Sequence, residues 1–140
     1  MIVKKYDNTF CIRLIHEDDF LEKLTEFIKE RDLKNAILIN AVGMLNNAEI
    51  GYYADGDYIK DIVPKPAELI STNGNLFTNP QGEIEWHIHV ALAKKSHEMV
   101  GGHLFAGKVW NTAEIFIQTL PQAEFYRLPD ENGNLRLNFR

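Results

Sequence analysis

Two histidines separated by one residue stand in the most chemically informative stretch of the sequence. His87 and His89 belong to the segment Trp86–Leu92, whose remaining residues are apolar. If this segment is a β-strand, alternate side chains point to opposite faces, so both imidazoles share one face with their Cα atoms about 7 Å apart. Two imidazoles at that spacing can bind one metal ion, with roughly 2.0–2.1 Å from the ion to each nitrogen.

A third histidine, His103, follows the glycine pair Gly101 and Gly102. The polar residues 94–98 predict a turn, which would bring the strand that carries His103 back alongside the two strand histidines. The glycine pair lacks side-chain bulk and permits a β-bulge that could re-aim His103. Three histidines with no fourth protein ligand are typical of a zinc site with one open position, although other divalent ions that prefer imidazole also fit. A solvent-exposed polar strand face is the alternative explanation.

Two glutamates are weaker candidates for a role beside such a metal. Glu68 opens a predicted strand in an apolar setting, and Glu114 begins another. Either carboxylate could carry a proton for a metal-activated water, and Glu68 could instead orient an imidazole ligand. Ordinary carboxylates on an outward strand face explain both residues more simply. The sequence contains no phosphate-binding glycine loop, no serine nucleophile elbow and no paired-cysteine metal motif.

The elements that must position these residues can be predicted from the periodicity of the sequence. Apolar residues within 18–31 recur at helical spacing, and Asp18 or Asp19 is placed to cap this helix. Almost all other segments have the pattern of strands joined by short turns. Gly43 is predicted to lie in a turn, with packing between strands as the alternative, and Gly74 is predicted to lie in a turn that ends a strand. The predicted strands are 10–15, 36–42, 48–53, 67–72, 83–93, 99–109 and 112–120. One helix against six or seven strands predicts an α+β fold with a mostly antiparallel sheet packed on one main helix.

Length and composition are typical of one globular domain. The chain has 140 residues, of which 45% are hydrophobic and 25% charged. We expect a single domain over residues 1–140, with a core at about 10–120 and a C-terminal extension at 121–140 that forms a last hairpin or a loose end. Cys11 is the only cysteine, which excludes an intramolecular disulfide. No apolar stretch has the length of a signal peptide or a membrane span, so we expect a cytoplasmic protein that makes no membrane contact.

Six short motifs occur in an order that is hard to produce by chance. They are I-R-L with an acidic helix start at 12–20, A-V-G at 41–43, E-L-I-S-T-N-G at 68–74, H-I-H-V-A-L at 87–92, V-G-G-H-L at 100–104 and G-K-V-W-N-T-A-E at 107–114. In these motifs the sequence resembles the PPC domain, the plant and prokaryote conserved domain, over roughly residues 10–120. In plants this domain is joined to AT-hook motifs in nuclear-localised proteins.

The resemblance implies a curved antiparallel sheet that packs on a helix and assembles as a homotrimer. It also implies that His87, His89 and His103 hold a zinc ion, as the corresponding histidines do in the bacterial members. The family carries a DNA-binding label. The Arg-Gly-Arg-Pro hook that contacts DNA in the plant proteins is missing from this sequence.

Two functions of different classes follow from these observations. The first is a zinc-binding homotrimer with a DNA-associated or transcription-related regulatory role, as the resemblance implies. A net charge of −5 weighs against DNA as a partner, because binding to phosphates needs clustered Lys and Arg. The alternative is a zinc-dependent hydrolase or lyase that acts on a small molecule through a metal-activated water. A structural metal with no chemistry is a third possibility.

Overall fold

The computed structural model describes the whole of residues 1–140 and contains one helix and nine strands. The helix α1 spans Phe20–Glu30. The strands are β1 (Ile2–Tyr6), β2 (Thr9–Ile15), β3 (Ala36–Ala54), β4 (Asp57–Val63), β5 (Ala67–Thr78), β6 (Ile84–Ala93), β7 (Met99–Thr119), β8 (Phe125–Pro129) and β9 (Leu135–Phe139). The prediction of a sheet accompanied by one main helix is confirmed.

The helix forms where the sequence places apolar residues on one face. Asp19 caps its N-terminus, because the Asp19 carboxylate accepts a hydrogen bond of 3.0 Å from the backbone N–H of Glu22. Phe27 packs edge to face on Phe10 of β2, with 5.0 Å between the ring centroids. The buried side of the helix consists of Phe20, Leu24, Phe27 and Ile28. No helix in the chain combines the length and apolar character that crossing a bilayer would require.

All nine strands belong to one sheet, and part of that sheet closes on itself. β7 pairs with β3, β3 with β5, β5 with β6, and β6 again with β7, so four strands form a ring of hydrogen-bonded neighbours. All pairings are antiparallel except that of β5 with β8, which is parallel and joins Thr78 to Tyr126. The sheet is therefore mixed, and the sequence-based description of it as mostly antiparallel omits this parallel pairing.

The two predicted turns at Gly43 and Gly74 are wrong, because strands run through both glycines. A Cβ atom on Gly43 would lie 2.1 Å from the carbonyl oxygen of Thr112 on β7. Its φ of 139° also suits glycine, and register shifts in the β3–β7 pairing let β3 bend there without ending. Gly74 lies within β5, opposite Ile88 of β6. Both glycines therefore permit close approach of neighbouring strands instead of reversing the chain.

The C-terminal segment forms the hairpin β8–β9 rather than a loose end. The Asp130 carboxylate closes its turn by accepting hydrogen bonds from the backbone N–H groups of Asn132 and Asn134, both at 2.9 Å. The Tyr53 hydroxyl on β3 lies 2.8 Å from the side-chain oxygen of Asn134 and ties the turn to the body of the sheet. Together with the pairing of β8 with β5, this contact holds the hairpin close to β6, which carries the histidine pair.

Candidate metal centre

The three histidines lie on two neighbouring strands of the closed ring. His87 and His89 are two residues apart on β6 and therefore share one face of that strand. β7 pairs antiparallel with β6 and places His103 directly opposite His89. One ring nitrogen from each histidine lies within 4.8 Å of the other two. The structure thus brings together the three imidazoles that the sequence singles out.

The glycine pair before His103 allows the backbones of the two neighbouring strands to approach β7 closely. The bulge that this pair would permit is absent from the β6–β7 pairing, which runs through both glycines without a register shift. A Cβ atom on Gly101 would lie 2.5 Å from the carbonyl oxygen of Val90, and one on Gly102 would lie 2.5 Å from that of Gly51. Glycine at both positions therefore lets β6 and β3 pack tightly on the two sides of β7.

Aromatic packing holds the imidazoles in place. The rings of His87 and His103 stack with 5.2 Å between centroids, and His89 packs edge-on against His87 at 4.8 Å. Tyr58 and Phe105 also pack against His103, at 5.1 Å and 4.5 Å between centroids. Because neighbouring rings restrict their orientation, the imidazoles lose little additional freedom when they bind a common ligand.

The environment keeps two of the imidazoles uncharged at neutral pH. Burial lowers the pKa of His87 to about 4, with further lowering by the charges of Arg127, His89 and His103. Burial also lowers the pKa of His103 to about 4, with further lowering by His89, Arg127 and Lys60. Neutral imidazole is the form that binds a metal ion, so protons do not compete for these two nitrogens near pH 7.

The donor set fits a divalent metal ion that prefers nitrogen ligands. Nitrogens bound to one tetrahedral ion at 2.0–2.1 Å lie roughly 3.4 Å apart. The three histidine nitrogens lie within 4.8 Å of one another, so small side-chain rotations would bring them to the distances that a shared ion requires. Nδ1 of His103 is buried without a hydrogen-bond partner, and metal binding by this imidazole is one way to satisfy such an atom. The cluster contains no carboxylate or thiolate, which leaves coordination positions for water or another ligand.

The three histidines line a cavity of about 530 Å³ that the C-terminal hairpin helps to form. Arg127 of β8 reaches into it, and its Nη2 lies 2.7 Å from Nδ1 of His87. The Arg127 guanidinium carbon also lies 4.5 Å from the ring centroid of Phe77. Glu85 supplies a carboxylate to the wall, and its Oε1 accepts a hydrogen bond of 2.7 Å from the Asn79 amide. The cavity therefore combines neutral imidazoles, aromatic surface and charges of both signs.

Arg127 and Glu85 are absent from the sequence-based prediction. Glu85 does carry a signal, because it lies two residues before His87 and so shares the histidine face of β6. No local pattern indicates Arg127, since long-range contacts of the hairpin, among them the parallel pairing of β8 with β5, bring it to the cavity. Nothing in the local pattern of residues 125–129 indicates that pairing.

The two glutamates that the sequence offers as proton carriers do not line the cavity. Glu68 is exposed on β5 opposite Ala93, and Glu114 is exposed on β7 opposite Arg13. Glu85 is the glutamate that lines the cavity wall. A catalytic role for Glu68 or Glu114 stays a prediction, and the placement of Glu85 gives this residue the stronger claim.

The metal-free protein is expected to lose stability as the pH falls from about 6.5 to about 4. The pKa values of His87 and His103 lie below the ordinary 6.5, so the unfolded chain binds more protons than the folded chain in this interval. The contribution of each histidine to the free energy of unfolding is therefore complete above pH 6.5 and falls below it. Chemical denaturation in the presence of a chelator at several pH values measures this dependence. His103→Asn should flatten it, whereas His97→Asn, at an exposed turn residue, should not; equal slopes in both variants would contradict the prediction.

The fold and the histidine centre define a small α+β protein whose cavity lies between a closed ring of strands and a C-terminal hairpin. The chain belongs to the Plants and Prokaryotes Conserved (PCC) domain family, whose sequence model matches residues 1–121. The resemblance drawn from the six motifs is confirmed. The matched residues include all three histidines but not the hairpin that supplies Arg127.

Solved structures of similar proteins share this fold. A plant- and prokaryote-conserved (PPC) protein from Pyrococcus horikoshii is 30% identical with a TM-score of 0.84, over 98% of this chain and 93% of that one. A protein from Archaeoglobus fulgidus described as metal-containing is also 30% identical, with a TM-score of 0.82 over 96% of both chains. A protein from Bacteroides thetaiotaomicron whose name proposes DNA binding is 16% identical, with a TM-score of 0.88 over 99% of this chain and 96% of that one, and shows the fold alone.

Curated relatives of the chain are much longer proteins. The bifunctional protein GlmU of Synechococcus sp. strain JA-3-3Ab is 29% identical over 132 residues, which cover 92% of this chain and 20% of the relative. The GlmU protein of Synechococcus sp. strain JA-2-3B'a(2-13) is also 29% identical, over 94% of this chain and 20% of its own length. The chain therefore spans about one fifth of the length of the curated relatives that it matches.

Proposed function

We propose that this protein binds one Zn²⁺ ion through His87, His89 and His103 and uses the open side of that ion to bind a small molecule in the adjoining cavity. The observation that carries the proposal is the meeting of three imidazoles, two of them neutral at pH 7, on one wall of a cavity of about 530 Å³. A metal-containing relative at 30% identity supports it. Zinc bound by three imidazoles acts as a Lewis acid and lowers the pKa of a bound water to about 7.

The residues around the imidazoles define what the cavity can accept. Phe77 and Tyr58 supply aromatic surface on which an organic ligand can pack. Glu85 lies on the histidine face of β6, where its carboxylate could carry a proton if the bound molecule reacts with water. Hydrolysis or a lyase reaction is therefore the chemistry that we propose if the site is catalytic. Binding of the small molecule alone needs only the metal and the wall.

We also propose that the protein assembles as a homotrimer. Tyr52 and Ile59, which pair across the β3–β4 hairpin and share one face of it, are 73% and 62% exposed in the single chain. An apolar surface of this kind on one hairpin is typical of an interface between subunits. The resemblance to the PPC domain implies the trimer, and the exposed hairpin supports association of some kind.

A DNA-associated or transcription-related role stays a prediction carried by the family resemblance. A cytoplasmic location, which is expected from the sequence alone, also stays a prediction. The relative from Bacteroides whose name proposes DNA binding is too distant to support more than the fold. The net charge of −5 opposes contact with phosphates. The histidine cavity therefore favours the small-molecule proposal.

Native mass spectrometry of the purified full chain tests both the metal and the assembly. We expect a particle of three 16.1-kDa chains that carries one zinc ion per chain. Treatment with a chelator should remove the zinc, and addition of one equivalent per chain should restore it. A zinc content far below one per chain after reloading would overturn the metal proposal, and a monomer at micromolar concentration would overturn the trimer.

A further inference from the structure

The guanidinium of Arg127 is a cation without an anionic partner. Its Nη1 donates to the backbone carbonyl of Leu135 at 3.3 Å, its Nη2 lies 2.7 Å from Nδ1 of His87, and its Nε is buried with no hydrogen-bond partner. None of the ion pairs of the chain includes Arg127. Half-buried charges in proteins are usually paired, so this guanidinium lacks the acceptor that its position calls for.

The contact between Arg127 and His87 fixes the proton positions on the imidazole. Arginine has only donors, so Nδ1 of His87 must accept, and the proton of the neutral ring then lies on Nε2. A metal ion needs an unprotonated ring nitrogen. If it binds at Nδ1 it takes the acceptor that Arg127 uses, and if it binds at Nε2 the proton moves to Nδ1 and faces the guanidinium. In both cases Arg127 loses its acceptor on His87 when the metal binds.

The other charges of the cavity do not compensate for Arg127. Arg136 on β9 is neutralised by Asp130, with 2.8 Å between Arg136 Nε and the carboxylate. Glu85 interacts with Arg127 only at longer range, and its carboxylate accepts a hydrogen bond from Asn79. Arg127 is therefore the one free cationic group in the wall beside the histidines.

We propose that Arg127 binds the carboxylate of a small organic anion whose remaining part packs on the aromatic wall beside the histidines. A guanidinium presents a planar fork of donors that matches a carboxylate, and Phe77 and Tyr58 line the same cavity. The inference rests on the proposed metal site for one feature only, namely that metal binding frees Arg127 and strengthens anion binding. The charge of Arg127 and its missing partner belong to the chain itself.

Isothermal titration calorimetry with benzoate and its uncharged isostere benzamide tests this proposal on the zinc-loaded and the metal-free protein. We expect wild-type protein to bind benzoate at least tenfold more tightly than benzamide, and to bind benzoate several-fold more tightly with zinc than without it. Arg127→Gln should weaken benzoate binding roughly tenfold or more, since a charge-assisted bond is lost. The matched control Arg140→Gln removes the same charge from a residue at the end of the same hairpin, which is paired with Glu124 and lies outside this cavity, and should change benzoate binding less than twofold.

Several results would overturn the proposal. They are equal affinity for benzoate and benzamide, no benzoate binding in either metal state, an Arg127→Gln variant that binds as the wild type does, or tighter binding of inorganic phosphate than of benzoate. Arg127→Lys, which keeps the charge but loses the fork, replaces Arg127→Gln if the latter does not fold and should bind with intermediate affinity. If the wild type binds no zinc, the proposed function fails, while the comparison of benzoate with benzamide on the metal-free protein still decides the role of Arg127.

Discussion

Replacing any one of His87, His89 and His103 by alanine is expected to weaken zinc binding roughly a hundredfold or more. Loss of a residue that merely orients a ligand already costs 10–100-fold in metal affinity, and these residues would supply the ligands themselves. Equilibrium dialysis against zinc at pH 7, followed by elemental analysis, measures the affinity and the number of ions per chain. Each single variant should fall below one ion per chain at a zinc concentration that saturates the wild type.

Two histidines outside the cavity serve as matched controls. The Nδ1 atom of His16 accepts a hydrogen bond of 3.2 Å from the backbone of Asn111, and His97 is exposed in the β6–β7 turn. Alanine at either position should leave the zinc content at one ion per chain. Cobalt(II) adds a spectroscopic check, because tetrahedral coordination gives visible absorption that the cavity variants should lose and the controls should keep. A triple alanine variant that still binds one zinc ion per chain would place the metal elsewhere in the protein.

The convergence of the three imidazoles could be predicted because it depends on side-chain alternation along one strand and on one short turn. Alternation along one strand places His87 and His89 on the same face, and a short polar turn returns the next strand alongside. The register that puts His103 opposite His89 needs only these two strands. Two strands joined by a short turn are close in the sequence, so the sequence pattern predicts which of their side chains meet.

Other parts of the site depend on contacts that no local pattern carries. Arg127 reaches the cavity because β8 pairs with β5 through Thr78 and Tyr126, some fifty positions apart along the chain. The long strands β3 and β7 escape prediction for a related reason. The backbone conformation of Gly43 would suit a turn. Only its close contact with Thr112 of β7 shows that β3 bends at this glycine and then continues. In this fold an isolated glycine therefore indicates close packing of neighbouring strands as often as it indicates a turn.

Gly74→Ala is expected to lower the thermal midpoint of the protein by about 10 °C. A Cβ atom at Gly74 would lie 2.1 Å from the carbonyl oxygen of His87 and 3.0 Å from the Cα atom of Ile88, so both clashes are with backbone that cannot rotate away. Overpacking of this kind costs about 3 kcal/mol at the upper end of its usual range, and each kcal/mol corresponds to roughly 3–4 °C for a chain of this size. Thermal unfolding followed by circular dichroism measures the shift. The exposed neighbour Asn73, changed to alanine, should shift the midpoint by less than about 2 °C.

The same substitution also tests whether strand packing positions the metal ligands. Relief of the clash requires β6 to move away from β5 at the residue that carries the first imidazole, so His87 should be displaced from His89 and His103. Folded Gly74→Ala protein should therefore bind zinc more weakly than the wild type, although residue 74 is itself no ligand. A shift of about 1 Å in one donor is enough to disturb a tetrahedral site. Dialysis at a temperature where both proteins are folded separates weaker zinc binding from loss of stability. An unchanged thermal midpoint in Gly74→Ala would mean that β5 and β6 do not approach as closely as the structure places them. Unchanged zinc affinity in a destabilised variant would mean that the packing of β5 on β6 does not position the imidazoles.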